Sequence, residues 1–202
     1  MAITQRSFPA ILAILAILVV AASAPAAAAE PGGTREGIQV HGHWKIEVFD
    51  PDGTRISAYE FENAFVGSAF LTDLLAGRAS QGLWGIWLDA VAVATPCLDD
   101  LGQDAQCKIL EPGDTAAANH FLNLTVAGTS SLVLAGSATA GQSTSIDTVT
   151  TMLSTCGPTV APASCTASAA ASGSAFTMKS LGTVVPVLAG QIVQVTVTIS
   201  FS

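Results

Sequence analysis

Charge is what this sequence has least of. Among 202 residues only 7 are Lys or Arg and 15 are Asp or Glu, a formal net charge of −8. So few cations cannot neutralise a run of phosphates, which argues against a nucleic-acid partner. They also leave no polybasic patch for an anionic membrane surface. Aromatic residues make up 6% of the chain and Tyr59 is the single tyrosine, too little for the two aromatic girdles of an outer-membrane barrel. No GxxxxGK[ST] or GxGxxG loop is present to cradle a phosphate, and no GxSxG elbow presents a serine nucleophile. Three histidines and scattered carboxylates form no marked triad, so the chain reads as non-enzymatic. A glycosidase carboxylate pair stays open, and with it a secreted hydrolase without a recognisable motif as the weakest alternative.

What is present begins with the amino-terminal segment. Arg6 and the free amino terminus precede an apolar run, Ile11 to Ala22, and Ala27-Ala28-Ala29 stands before Glu30. The run is shorter than the ~20 residues of a spanning helix. This is the pattern of a cleaved export signal over residues 1–29, leaving a mature single domain over 30–202. The expected location is secreted, extracellular or at the cell surface, with the periplasm as the nearest alternative, and no membrane span in the mature chain.

Four cysteines follow: Cys97, Cys107, Cys156 and Cys165. An even count behind an export signal suggests disulfides. Of three possible connectivities we expect the local one, Cys97 with Cys107 and Cys156 with Cys165. Zinc wants closer spacing than either pair offers.

Hydropathy alternates with period two over Ile38 to Val48, with Trp44, Ile46 and Val48 on one face and His41, His43, Lys45 and Glu47 on the other. Asp50-Pro51-Asp52-Gly53 reads as a tight turn, and Thr54 to Phe61 as the returning strand. Over Asn63 to Gly77 the period becomes helical, with Val66, Phe70 and Leu74 four apart and Gly77 as C-terminal cap. Further strands are expected at Leu83 to Val93, Phe121 to Val126, Ser131 to Ala138, Ile146 to Leu153, Thr166 to Ser172, Ala175 to Leu181 and Ile192 to Phe201. The fold class that follows is mainly β: a single antiparallel β-sandwich of about eight strands with one short α-helix, without internal repeats.

Several residue groups are candidates for chemistry, each with a plainer explanation beside it. His41 and His43 share a strand face and form half a metal site, with His120 as a distant third ligand; the plainer view is two solvent-facing histidines. Asp99, Asp100 and Asp104, with Glu111 and Asp114, crowd the first cysteine loop and are candidates for structural calcium, against a solvated acidic loop. No other cofactor is expected. Trp84 and Trp87 are candidate sugar-stacking residues, yet three apart on a strand they point to opposite faces, as core residues do.

From Thr115 onward only Asp147 and Lys179 are charged, and nearly a third of the residues are Ser or Thr. A surface so poor in charge suggests cover by neighbouring subunits. The last strand supplies a candidate self-assembly element, with Val193, Val195, Val197, Ile199 and Phe201 on one face. Such a strand suits exchange between copies, with the Gly- and Pro-containing arm Glu30 to Gly37 as its flexible counterpart ahead of the first strand.

The order of features has a further likeness. The DPDG hairpin leads into Glu60-Phe61-Glu62-Asn63, a short helix ends in Leu74-Leu75-Ala76-Gly77, and the strand Trp84-Gly85-Ile86-Trp87-Leu88 follows. Ala189-Gly190-Gln191 then precedes a strand ending in Phe201. This resembles β-sandwich proteins of phage tail appendages and related secreted bacterial proteins. The resemblance implies a shared architecture and a structural or adhesive role, and carries over no catalytic residue. The functional expectation is a secreted structural or adhesive protein, with a surface filament subunit as its sharpest form. The alternative is a secreted glycan- or ligand-binding module.

Overall fold

The computed structural model describes residues 37–90, 106–114 and 121–202. Nine strands are present: β1 (Val40–Phe49), β2 (Arg55–Phe65), β3 (Ser80–Ala90), β4 (Gln106–Leu110), β5 (Leu122–Ala127), β6 (Ser131–Thr139), β7 (Thr144–Cys156), β8 (Ser174–Val187) and β9 (Ile192–Phe201). Helix α1 (Ser68–Leu75) follows β2, and a 3-10 turn (Pro162–Ser164) and the one-turn helix α2 (Ala169–Ser172) lie between β7 and β8. All strands belong to one antiparallel sheet in the order β4-β3-β7-β8-β2-β1-β9-β6-β5. A single bridge between Leu110 and Phe121 links the ends of the two outermost strands, so the sheet nearly closes on itself.

The period-two pattern explains the interior. Trp44, Ile46 and Val48 of β1 are fully buried, as are Val197 and Ile199 of β9 beside them. Ile86 and Leu88 of β3, Ile109 of β4, Leu134 of β6 and Val149 of β7 join the same core. Lys45, Glu47, Gln194 and Thr196 take the other face. An apolar interior with a polar exterior is the reverse of a membrane barrel.

Turns follow their chemistry. Gly53 takes φ +87 and donates to the Asp50 carbonyl at 2.9 Å, while Asp52 accepts from the Thr54 N–H at 2.8 Å. Gly77, at φ +66, ends α1 by donating to the Leu74 carbonyl. Phe70 and Leu74 set α1 against the core.

Three features depart from the sequence reading. Gln106–Leu110, not expected as a strand, pairs with β3 as β4. The expected strand Thr166 to Ser172 is absent: Ser168 caps α2, accepting from the Ala171 N–H at 3.1 Å, and the alanines after it take the helical turn. Asn63, placed at a helix start by its sequence, lies within β2, which runs on to Phe65, and the helix begins only at Ser68.

Candidate functional site

Of the ladders between neighbouring strands, the one between β2 and β8 is the shortest. These two strands pair at only Ala64 with Met178 and Phe65 with Thr177. The cause lies in β8. Its pairing with β7 jumps from Ser180 opposite Thr148 to Val185 opposite Ile146, so residues 181–184 face the single residue Asp147. A bulge of that size carries the strand away from its other neighbour. Gly182 and Pro186, poor residues for a continuous ladder, mark the place.

The result is a groove of about 370 Å³, lined by Ala58, Tyr59, Glu60 and Phe61 of β2 and by Lys179, Leu181, Gly182 and Thr183 of β8. Tyr59, Phe61 and Leu181 pack against the core yet stay partly exposed. Glu60 and Lys179 bring one charge of each sign to the rim. Two strand edges here diverge over an apolar floor, a shape that takes an extended chain or a flat ring.

The closed end of the groove is locked by a polar chain inside the sheet. The Asn63 side-chain nitrogen donates to the Gly42 carbonyl at 3.0 Å, and its oxygen accepts from Trp44 Nε1 and from Thr177 Oγ1. Thr177 Oγ1 lies 2.6 Å from Thr151 Oγ1, and Thr151 Oγ1 accepts from the Thr177 N–H at 3.0 Å. Both threonines are fully buried. Gly42 makes room for this, since a Cβ there would run into the Asn63 amide.

The other candidates are dispersed or already engaged. His41 and His43 are exposed on the outer face of β1, and among the described residues no three His, Cys, Asp or Glu side chains gather as metal ligands. Glu111 accepts from the Trp84 N–H at 2.7 Å. Asp114 accepts from Ser168 Oγ at 2.6 Å and from the Ala169 N–H at 2.8 Å, fastening α2 to the end of β4. Asp99, Asp100, Asp104, Cys97 and His120 lie outside the described residues, as does the arm 30–36.

Cys156 and Cys165 form a disulfide with Cα atoms 5.8 Å apart, the local pairing expected. Cys107 is disulfide-bonded as well. Trp84 is 2% exposed, with Phe176 packed edge-on at 5.1 Å, and so is closed to any ligand. Trp87 faces the opposite side of the sheet, its ring 4.9 Å from the Lys108 ammonium. Val193, Val195, Val197 and Ile199 are buried, Phe201 is partly buried, and β9 pairs along its whole length with β1 and along most of it with β6.

Sequence reasoning passed over the groove. Its signal was the aromatic pair Tyr59 and Phe61, two apart on one strand face, the spacing that Trp84 and Trp87 lack. Among the described residues no helix is long and apolar enough to cross a membrane. Comparison with protein-family models, with curated proteins and with solved structures finds no match to this chain.

Proposed function

We propose that the protein is an exported, non-enzymatic structural or adhesive subunit, mature from Glu30, that assembles by accepting an extended strand from a neighbouring copy. The fold reading that accompanies it is a β-sandwich, with β5, β6, β9, β1 and β2 in one layer and β4, β3, β7 and β8 in the other. The observation that carries the proposal is the open seam between β2 and β8, where two strand edges part over Tyr59, Phe61 and Leu181. An added strand gains main-chain hydrogen bonds along either edge and seats alternate side chains on the floor. The terminal strands β1 and β9 are poor donors, since release would break ladders on both their sides. Contacts that run from one surface patch to a different one make open filaments rather than closed rings.

The test is light scattering and negative-stain microscopy of the mature chain across a concentration series. Gly182 has open space around it, so Gly182→Arg fills the groove mouth without disturbing the packing. Filaments that disappear in this variant support the proposal, and deleting 30–37 asks whether that arm is the donor. A wild-type monomer at every concentration overturns strand exchange. The second reading is a glycan-binding groove, favoured by the spacing of Tyr59 and Phe61. Retention of a monomer on polysaccharide, lost in Tyr59→Ala, would establish it.

A further inference from the structure

Natural edge strands are guarded against pairing with their copies by charge, proline, bulges or cover. One edge in this sheet has none of the first three. Strand β5 ends the sheet order, and its ladder to β6 runs without a register shift from Leu122 opposite Gly136 to Ala127 opposite Ser131. The sequence Leu122-Asn123-Leu124-Thr125-Val126-Ala127 contains no charged residue and no proline. No charged residue occurs anywhere from Thr115 to Ile146. The apolar alternation Leu122, Leu124, Val126 begins in the core and emerges from it: Leu122 is 1% exposed and Val126 73%. Asn123 and Thr125 are exposed on the outer face, and the single bridge from Leu110 reaches Phe121, just before the strand begins.

We propose that the outer edge of β5, which pairs with no strand beyond β6 among the described residues, pairs antiparallel with β5 of a second copy, joining two sheets across a two-fold axis. Charge selects the partner. The full chain carries −8, and without Arg6 the mature copy is more acidic still, so two copies repel over most of their surfaces. Self-pairing along β2 would set Glu60 and Glu62 beside their own counterparts, and along β4 or β8 would do the same for Lys108 or Lys179. A strand paired with its own copy always meets its own side chains, and β5 is an edge where that brings no like charges together. Its hydroxyl and amide side chains and its emerging apolar stripe are complementary to themselves.

This rests on the self-association reading but uses a different edge, so the two can fail separately. The test is sedimentation of the mature chain, disulfides intact, over a concentration series, with hydrogen exchange on the β5 amides. Wild type is expected to dimerise, with β5 protection that rises with concentration. Thr125→Lys changes an exposed side chain and sets two ammonium groups near each other across the axis. It should weaken the dimer at least about tenfold, the equivalent of 1.4 kcal/mol, with the circular dichroism and melting temperature of wild type. Gly182→Arg should leave the dimer intact. A wild-type dimer that forms no filament at any concentration, and that Gly182→Arg leaves unchanged, supports β5 pairing while strand exchange fails. A wild-type monomer overturns the proposal, as does a Thr125→Lys dimer as tight as wild type. Asn123→Lys provides a second variant if Thr125→Lys does not fold.

Discussion

Asn63 joins β1, β2 and β8 through one amide. Removing it strands the buried Thr177 hydroxyl, the Trp44 indole N–H and the Gly42 carbonyl, each hydrogen-bonded now. Unsatisfied buried groups cost about 1–3 kcal/mol apiece, and some relax toward other partners. Asn63→Ala should therefore destabilise the fold by about 2–4 kcal/mol in urea unfolding. Glu111 gives a pH signature. Burial pushes its carboxyl above the ordinary 4.5, and the hydrogen bond from the Trp84 N–H works in the other direction. The folded protein thus holds this proton more tightly than the unfolded chain does. That contribution to stability is complete below pH 4.5 and is lost as pH rises through the raised value. Glu111→Gln should show a flatter stability profile than wild type across that window, read as melting temperature against pH. Neither role was legible in advance. Asn63 stands where the hydropathy period turns helical, and nothing local reveals that a carboxyl will meet a distant N–H.

At the level of elements, the Cys156–Cys165 bond clamps the exit of β7 to the turn before α2. Ser80 Oγ donates to the Val160 carbonyl at 2.5 Å, so the clamped loop is also tied to β3. Replacing Cys156 and Cys165 with serine together should lower stability by about 2–3 kcal/mol, the value for a short closed loop, measured by denaturant unfolding under oxidising conditions. Strands with one buried face were plain in the sequence, because alternation reports burial directly: β9 is Ile192–Phe201 as expected, and β1 differs by one or two residues at each end. Short or irregular elements were not. Five-residue β4 hides behind an acidic loop, and the Ser-Ala run of α2 alternates like a strand while its cap and the Asp114 carboxylate favour a helical turn. Strand β8 was expected only as far as Leu181, because its bulge interrupts the period there.

For the whole molecule, the amino-acid pattern implied a mainly β fold but not how its strands connect. The order β8-β2 depends on the bulge at 181–184, and a bulge shows itself only once the partner strand is placed. The same bulge opens the groove, so the site was illegible for the reason that the topology was. Two edges with different chemistry result: a seam rimmed by Glu60 and Lys179, and a neutral β5. If both associate, the seam sets filament growth and β5 pairs copies side by side. Thr125→Lys would then leave filaments thinner but still long, and Gly182→Arg would leave short pairs.

Strand β1 has its longest ladder with β9, ten residues against ten. The first described strand therefore waits for the last before either can be fully flanked. Contacts between such distant parts of a chain form slowly, because the loop between them must close first. A polypeptide threaded across a membrane from its amino terminus could pair β1 with β2 at once, but would keep the other edge of β1 open until β9 had also emerged. For a chain delivered in that way the connectivity would act as a timer, delaying the complete sheet until its last strand arrives.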